Sequence, residues 1–130
     1  MPLICPKCGA GSLKIEAAME LPPDTRSDEI TLQILMCMSC GFNGLGVYEE
    51  SRRGALDSES IDHRGYRVDS SLIKYLRGIM LRCPDPKNPR CACSSHSELK
   101  IVDRYGRWNW LNQNQHYGIF YLKFKDACAK

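Results

Sequence analysis

The sequence predicts a small, metal-bound, β-rich α+β fold. A three-stranded antiparallel sheet with a metal site at one end comes first, followed by a helix-plus-β-hairpin lobe with a second metal site. Three observations lead there. Two cysteine pairs, Cys5-Pro6-Lys7-Cys8-Gly9 and Cys37-Met38-Ser39-Cys40-Gly41, share one spacing. Apolar and polar residues alternate between the pairs. An amphipathic stretch and then a second cluster of cysteines and a histidine occupy the other half.

A CxxC turn followed by glycine lets two thiolates converge on one ion, because glycine takes the backbone conformation that closes the turn. Two such turns supply the four soft ligands that tetrahedral zinc prefers. Leu13, Ile15, Ala17, Met19 and Leu21 have the period of a strand with one covered face. Pro22-Pro23-Asp24 stops it, and the polar run to Asp28 makes a hairpin tip. Ile30, Leu32, Ile34 and Met36 alternate on the returning strand, which delivers Cys37 beside Cys8, and Gly44–Tyr48 reads as a third strand.

These paired knuckles resemble the zinc-ribbon family over roughly the first 50 residues. The resemblance implies a ribbon spanning 1–53 and a structural Zn²⁺ on Cys5, Cys8, Cys37 and Cys40. Rubredoxin uses similar CPxCG knuckles, so iron is the alternative metal, although the intervening strands favour zinc. Two disulfides are the other reading of the same thiols. At the tip, Thr25-Arg26-Ser27-Asp28-Glu29 is similar to the acidic hairpin of transcript-cleavage elongation factors. In that family an Asp-Glu pair reaches into RNA polymerase and helps hold Mg²⁺. This sequence lacks the family's additional residue before the pair and its proline after, and an ordinary polar turn accounts for the same residues.

At 130 residues the chain makes one domain or two small lobes, with a core that gains from a metal staple. No charged-then-apolar leader and no apolar run of ~18 residues is visible, so a soluble, cytoplasmic protein is expected. In that setting eight cysteines point to metal ligands more than to disulfides. The net charge of +3 is uneven. Through His63 there are five Lys/Arg against ten Asp/Glu, net −5; from Arg64 onward there are thirteen against five, net +8. The halves should attract one another or address different partners.

Glu49 to Gly65 is polar and glycine-containing, so 54–67 is expected to be a linker or surface loop, with His63 solvated in it. The basic lobe then spans 68–130. Val68–Arg82 is a helix: Asp69 or Ser70 can cap it, and Leu72, Ile73, Leu76, Ile79 and Met80 form one face. Cys83, Cys91, Cys93 and His96 follow, with three prolines stiffening the loop. Three thiolates and one imidazole complete a zinc site, with Cys128 the rival fourth ligand; free or disulfide-linked thiols are the alternative. Leu99 to Val102 and Trp108–Leu111 read as a hairpin turning at Asp103–Arg107, and 116–125 as a last strand. Trp108, Trp110, Phe120 and Phe124 supply the lobe's large rings.

A centre closed by four thiolates has no position for a reacting water. The chain carries no HExxH, deaminase HxE…CxxC, Walker loop or GxSxG sequence. Binding is therefore expected over catalysis. Arg104, Tyr105, Arg107 and Tyr117 combine cations with flat rings, a surface suited to stacking bases and neutralising phosphates, so nucleic acid is the first expected partner. The alternative is a protein-interaction or accessory subunit, for example of a transcription-type complex, acting through the ribbon. A small hydrolase with an open second zinc is third. Neither a membrane nor a small-molecule substrate is indicated.

Overall fold

The computed structural model describes residues 3–51, 60–111 and 116–122. Strands β1 (Leu13–Leu21), β2 (Glu29–Cys37) and β3 (Asn43–Ser51) follow the alternation read from the sequence, and β4 (Ser60–Tyr66) and β5 (Ile119–Tyr121) extend them into one sheet. The strand order is β1-β2-β3-β4-β5, every pair antiparallel. Helices α1 (Ser70–Arg82) and α2 (Ser94–Leu99) complete the described elements.

A bulge decides which face β1 presents. Leu13 pairs with Cys37 and Ile15 with Leu35, but the register shifts before Ala17, which pairs with Ile34. The extra residue turns the strand over. Ala17, Met19 and Leu21 thus join the main core, whereas Leu13 sits in a second cluster and Ile15 stays 45% exposed. The single covered face expected for this strand is split between two cores. At the bulge Glu16 receives a two-pronged contact from Arg77 of α1, Nη2 to Oε1 at 2.8 Å and Nε to Oε2 at 3.0 Å.

Helix α1 lies across β1, β2 and β3. Its start at Ser70 follows Asp69, and Ile73, Leu76, Ile79 and Met80 are buried. It stops at Cys83 because Pro84 follows, and a residue before proline is pushed out of the helical region; Cys83 has φ −77° and ψ 125°. The main core joins Met19, Leu21, Ile30, Leu32, Ile34, Leu45 and Val47 of the sheet to Tyr66, Val68, the helix residues, Leu99 and Trp110. The second cluster, Leu3, Cys5, Leu13, Leu35 and Cys37, lies on the other face, with Phe42, Phe120 and Leu122 against it.

Several expectations change. Part of the span expected as a linker, 54–67, is β4, and His63 stands in it opposite Tyr48, not in a loop. Its Nε2 lies 2.7 Å from Gln33 Oε1. Strand β4 escapes pattern reading because its residues, Ser-Ile-Asp-His-Arg-Gly-Tyr, hold few apolar positions. Their partners are on β3: Arg64 Nη2 donates to Glu49 Oε1 at 2.6 Å. The hairpin expected beyond the helix is reduced to a turn closed by one antiparallel bridge, outside the five-stranded sheet, with Asp103 N–H on Arg107 O at 2.8 Å and Asn109 N–H on Ile101 O at 3.0 Å. Leu99 ends α2, Val102 and Trp108 make one isolated bridge, and β5 joins β4. Trp110 is buried in the main core and Trp108 packs partly against it, while Phe120 belongs to the other cluster. Phe124 lies outside the described residues.

Candidate metal centres

The first four-cysteine group is built from two turns of one design. In each, the first cysteine's N–H donates to a carbonyl five residues on, Cys5 to Ala10 at 2.9 Å and Cys37 to Phe42 at 2.8 Å. Each closing glycine donates back to that cysteine's carbonyl, Gly9 to Cys5 at 2.9 Å and Gly41 to Cys37 at 3.0 Å. Those glycines adopt φ 79° and 80°. A Cβ at either would meet nothing within 4 Å, so it is the backbone angle that calls for glycine and not the space. An amide inside each turn, Lys7 N–H and Ser39 N–H, donates to Cys5 Sγ and Cys37 Sγ, both at 3.4 Å. The knuckles are tied by Met38 N–H to Ser12 O at 2.9 Å.

Pairing of Leu13 with Cys37 brings the turns together. Cys5 Sγ lies 3.7 Å from Cys40 Sγ, and Cys8 Sγ 3.7 Å from Cys37 Sγ. All four sulfurs fall within 4.8 Å of one another. Zinc–sulfur bonds of ~2.3 Å put the corners of a tetrahedron ~3.8 Å apart, so the group has room for such an ion. Cys5 and Cys37 are buried, and Cys8 and Cys40 face outward. The Cys40 amide, with that of Ser39, draws the Cys37 thiol down to about 6 against its partial desolvation.

The second group forms where α1 ends. Cys83, Cys91, Cys93 and His96 offer four donor atoms, also within 4.8 Å of one another. Cys83 Sγ is 3.9 Å from Cys91 Sγ; His96 Nδ1 is 3.3 Å from Cys83 Sγ and 3.4 Å from Cys93 Sγ. Helix α2 makes the turn possible: Cys93 stands at its N-cap and its sulfur accepts the His96 N–H at 3.4 Å. That amide, and then the His96 ring, hold the Cys93 thiol down to about 6, whereas burial pushes Cys83 up to about 11. Cys128 lies outside the described residues.

The tautomer of His96 follows from its surroundings. The residue is 1% exposed, and Nε2 lies 2.8 Å from the Glu20 carbonyl of β1, which can only accept. Nε2 therefore carries the proton and leaves Nδ1 a lone pair aimed between two sulfurs. Metal-bound imidazoles are held by this kind of outer hydrogen bond. Both donor sets are thus four soft or borderline ligands at tetrahedral spacing, and both fit zinc.

The proposed nucleic-acid residues are not gathered in one place. Arg104, Tyr105 and Arg107 lie on an exposed turn, with the Arg104 guanidinium 4.9 Å from the Tyr105 ring centre. That turn packs on the β1–β2 tip: Thr25 Oγ1 donates to Tyr105 O at 2.9 Å, and Trp108 N–H to Asp24 Oδ2 at 2.7 Å. Burial works against the charge on Asp24, but amides of Trp108, Ser27 and Arg26 outweigh it and lower its pKa. The tip carrying Asp28 and Glu29 is held down here: Asp28 N–H donates to Glu50 O, and Glu29 pairs with Glu50. Tyr117 sits at the other end of the sheet, its N–H on Arg67 O just beyond β4. Tyr66 is level with Leu45 and Ile34, four residues along β2 from Ile30 near the tip, a separation of at least ~13 Å at ~3.3 Å per residue.

Sequence reading missed three contributors. Asp24 is the acceptor that fastens the tip, and the Glu20 carbonyl orients His96. Arg67 covers Phe42 and Phe120, 5.8 Å and 5.4 Å from their ring centres. Only Asp24, following Pro22-Pro23, has a local signal, as a residue that bonds nearby amides in turns. No family model matches the chain, and no curated protein or solved structure matches it. Among the described residues no helix is long and apolar enough to cross a membrane.

Proposed function

We propose that the chain is a binding protein braced by two structural zinc ions, one on Cys5, Cys8, Cys37 and Cys40, the other on Cys83, Cys91, Cys93 and His96. The observation that carries this is the closure of both donor sets at four ligands with sulfur separations of 3.7 to 3.9 Å. A zinc held that way has no corner for substrate or hydroxide, which favours scaffolding over hydrolysis. The first centre, with β1 to β3 above it, is read as a zinc ribbon. Elemental analysis of protein purified under reducing conditions tests the reading, with two zincs per chain expected. Iron or no metal would defeat it.

The partner favoured is single-stranded nucleic acid, met by the Arg104–Arg107 turn. An exposed guanidinium stacked on an exposed ring, Tyr105 being 66% accessible, supports it. Retention on single-stranded RNA or DNA should weaken steeply with salt and fall when Arg104, Tyr105 and Arg107 are replaced by alanine. Unchanged retention in that triple variant would refute it. A protein partner is the second reading, supported by Ile119 and Tyr121 on β5, 51% and 67% exposed. It predicts a complex that survives nuclease treatment and is lost in I119S/Y121S.

A further inference from the structure

A sheet's edge strand presents unpaired backbone groups, and proteins commonly cover or disrupt such edges. Strand β1 is an edge of this sheet. At its far end Glu20 pairs across β2 with Thr31, and its own N–H and C=O point outward. Both are taken by the cysteine-rich loop. The Glu20 N–H donates to Pro86 O at 2.8 Å, and the Glu20 carbonyl accepts from His96 Nε2 at 2.8 Å.

These two bonds flank the second metal centre from both sides. Pro86 lies three residues after Cys83, and His96 is itself a donor of the cluster. The loop between them, Cys83 to Cys93, contains no helix or strand and is shaped by turns such as Asn88 N–H to Asp85 O at 3.1 Å. Segments 83–93 and 94–99 meet β1 across more than 60 residues of sequence, so nothing local holds them there. Besides the His96 bond to Glu20, α2 is fastened by Ser95 Oγ to Ile79 O at 2.7 Å, Trp108 Nε1 to Leu99 O at 2.7 Å, the Tyr75 hydroxyl donating to the Glu98 carboxylate, and the burial of Leu99. None of these constrains Pro86.

We propose that the second metal centre is a latch that closes the β1 edge: zinc on Cys83, Cys91, Cys93 and His96 fixes Pro86 O and His96 Nε2 against Glu20, and its loss opens that edge. The inference rests on the zinc reading of this cluster. With the ion bound, the loop is cross-linked at both ends and His96 is held in the tautomer that donates from Nε2. Without it, the four donors are no longer cross-linked, and the Pro86 loop keeps its turn bonds and the packing of Cys83, Cys91 and Cys93 on the main core. The opened edge runs next to the bulge at Glu16, where Arg77 still holds β1 to α1. The opening is therefore confined to the end carrying Glu20.

Amide hydrogen exchange followed by NMR during zinc titration of the metal-free wild-type chain tests the latch. The His96 ring shift reports occupancy of the second centre independently. As that shift moves to its bound position, exchange at Glu20 is expected to slow by roughly tenfold or more, while Leu32 in the middle of β2 changes little. A C91S variant should bind one zinc and keep Glu20 in fast exchange. Glu20 exchange that is the same with and without metal at His96 would overturn the latch while leaving the second zinc in place. A wild-type chain that takes up only one zinc, with no change at His96, would overturn both the latch and the two-zinc reading.

Discussion

His96→Ala is the most revealing single substitution. The imidazole is 1% exposed and does two things at once, offering Nδ1 to the cluster and Nε2–H to the Glu20 carbonyl. Removing it leaves the carbonyl without a partner at a strand edge that water can reach, costing ~1 kcal/mol. Emptying the ring's buried volume costs on the order of 2 kcal/mol more, since Leu99, on the same short helix, is fully buried and limits collapse. Zinc adds a linkage term, ~2.7 kcal/mol when free metal exceeds the dissociation constant about a hundredfold. Denaturant unfolding with excess zinc should therefore show a loss of roughly 5 to 6 kcal/mol, of which about two thirds vanishes when both proteins are compared in chelator, where the bond to Glu20 is open in the wild type as well. His96→Cys separates the terms, because a fourth thiolate can restore the metal while the bond to Glu20 stays broken. If His96→Ala holds two zincs with unchanged affinity and the wild-type midpoint, the imidazole is not a ligand and the reasoning fails.

The other predictions draw on different parts of the molecule. A Cβ at Gly65 would stand 2.3 Å from the Phe120 ring. Gly65→Ala should therefore push that ring off Phe42, lower stability by ~1–3 kcal/mol and expose the β5 amides to exchange. Burial lowers the pKa of His63, with Asp62 beside it opposing the shift and the Tyr48 ring packed edge-on. The unfolded state then takes up a proton first, so stability should fall as pH drops below ~6.5 and through the lower folded value. His63→Gln should flatten that slope in urea melts between neutral and mildly acid pH. In metal-free protein at pH 7, Cys93, held down to about 6, should react with iodoacetamide before Cys83, raised to about 11 and buried. Mass mapping should find both protected once zinc is added.

Elements with a local cause were legible in the residues. The CxxCG turns needed only their glycines, the strands β1 to β3 announced themselves by alternation, and α1 by its apolar stripe ending at Cys83-Pro84. Other elements were hidden because their cause is elsewhere. Strand β4 exists through pairing with Glu49 and Tyr48 on β3, and six-residue α2 is too short for periodicity and is capped by a sulfur. The bulge in β1 leaves no mark on an unbroken alternation, yet it divides Leu13 and Met19 between two cores.

The residues alone specified the donors within each CxxC turn, which converge locally, whereas the pairing of β1 with β2 brought the two turns to one point. Tertiary structure alone decided what the second group is joined to. His96 and Glu20 stand 76 positions apart and meet because α1 packs across β1, β2 and β3 and ends beside the β1 edge. A hydrogen bond across that separation depends on packing, which no local pattern encodes.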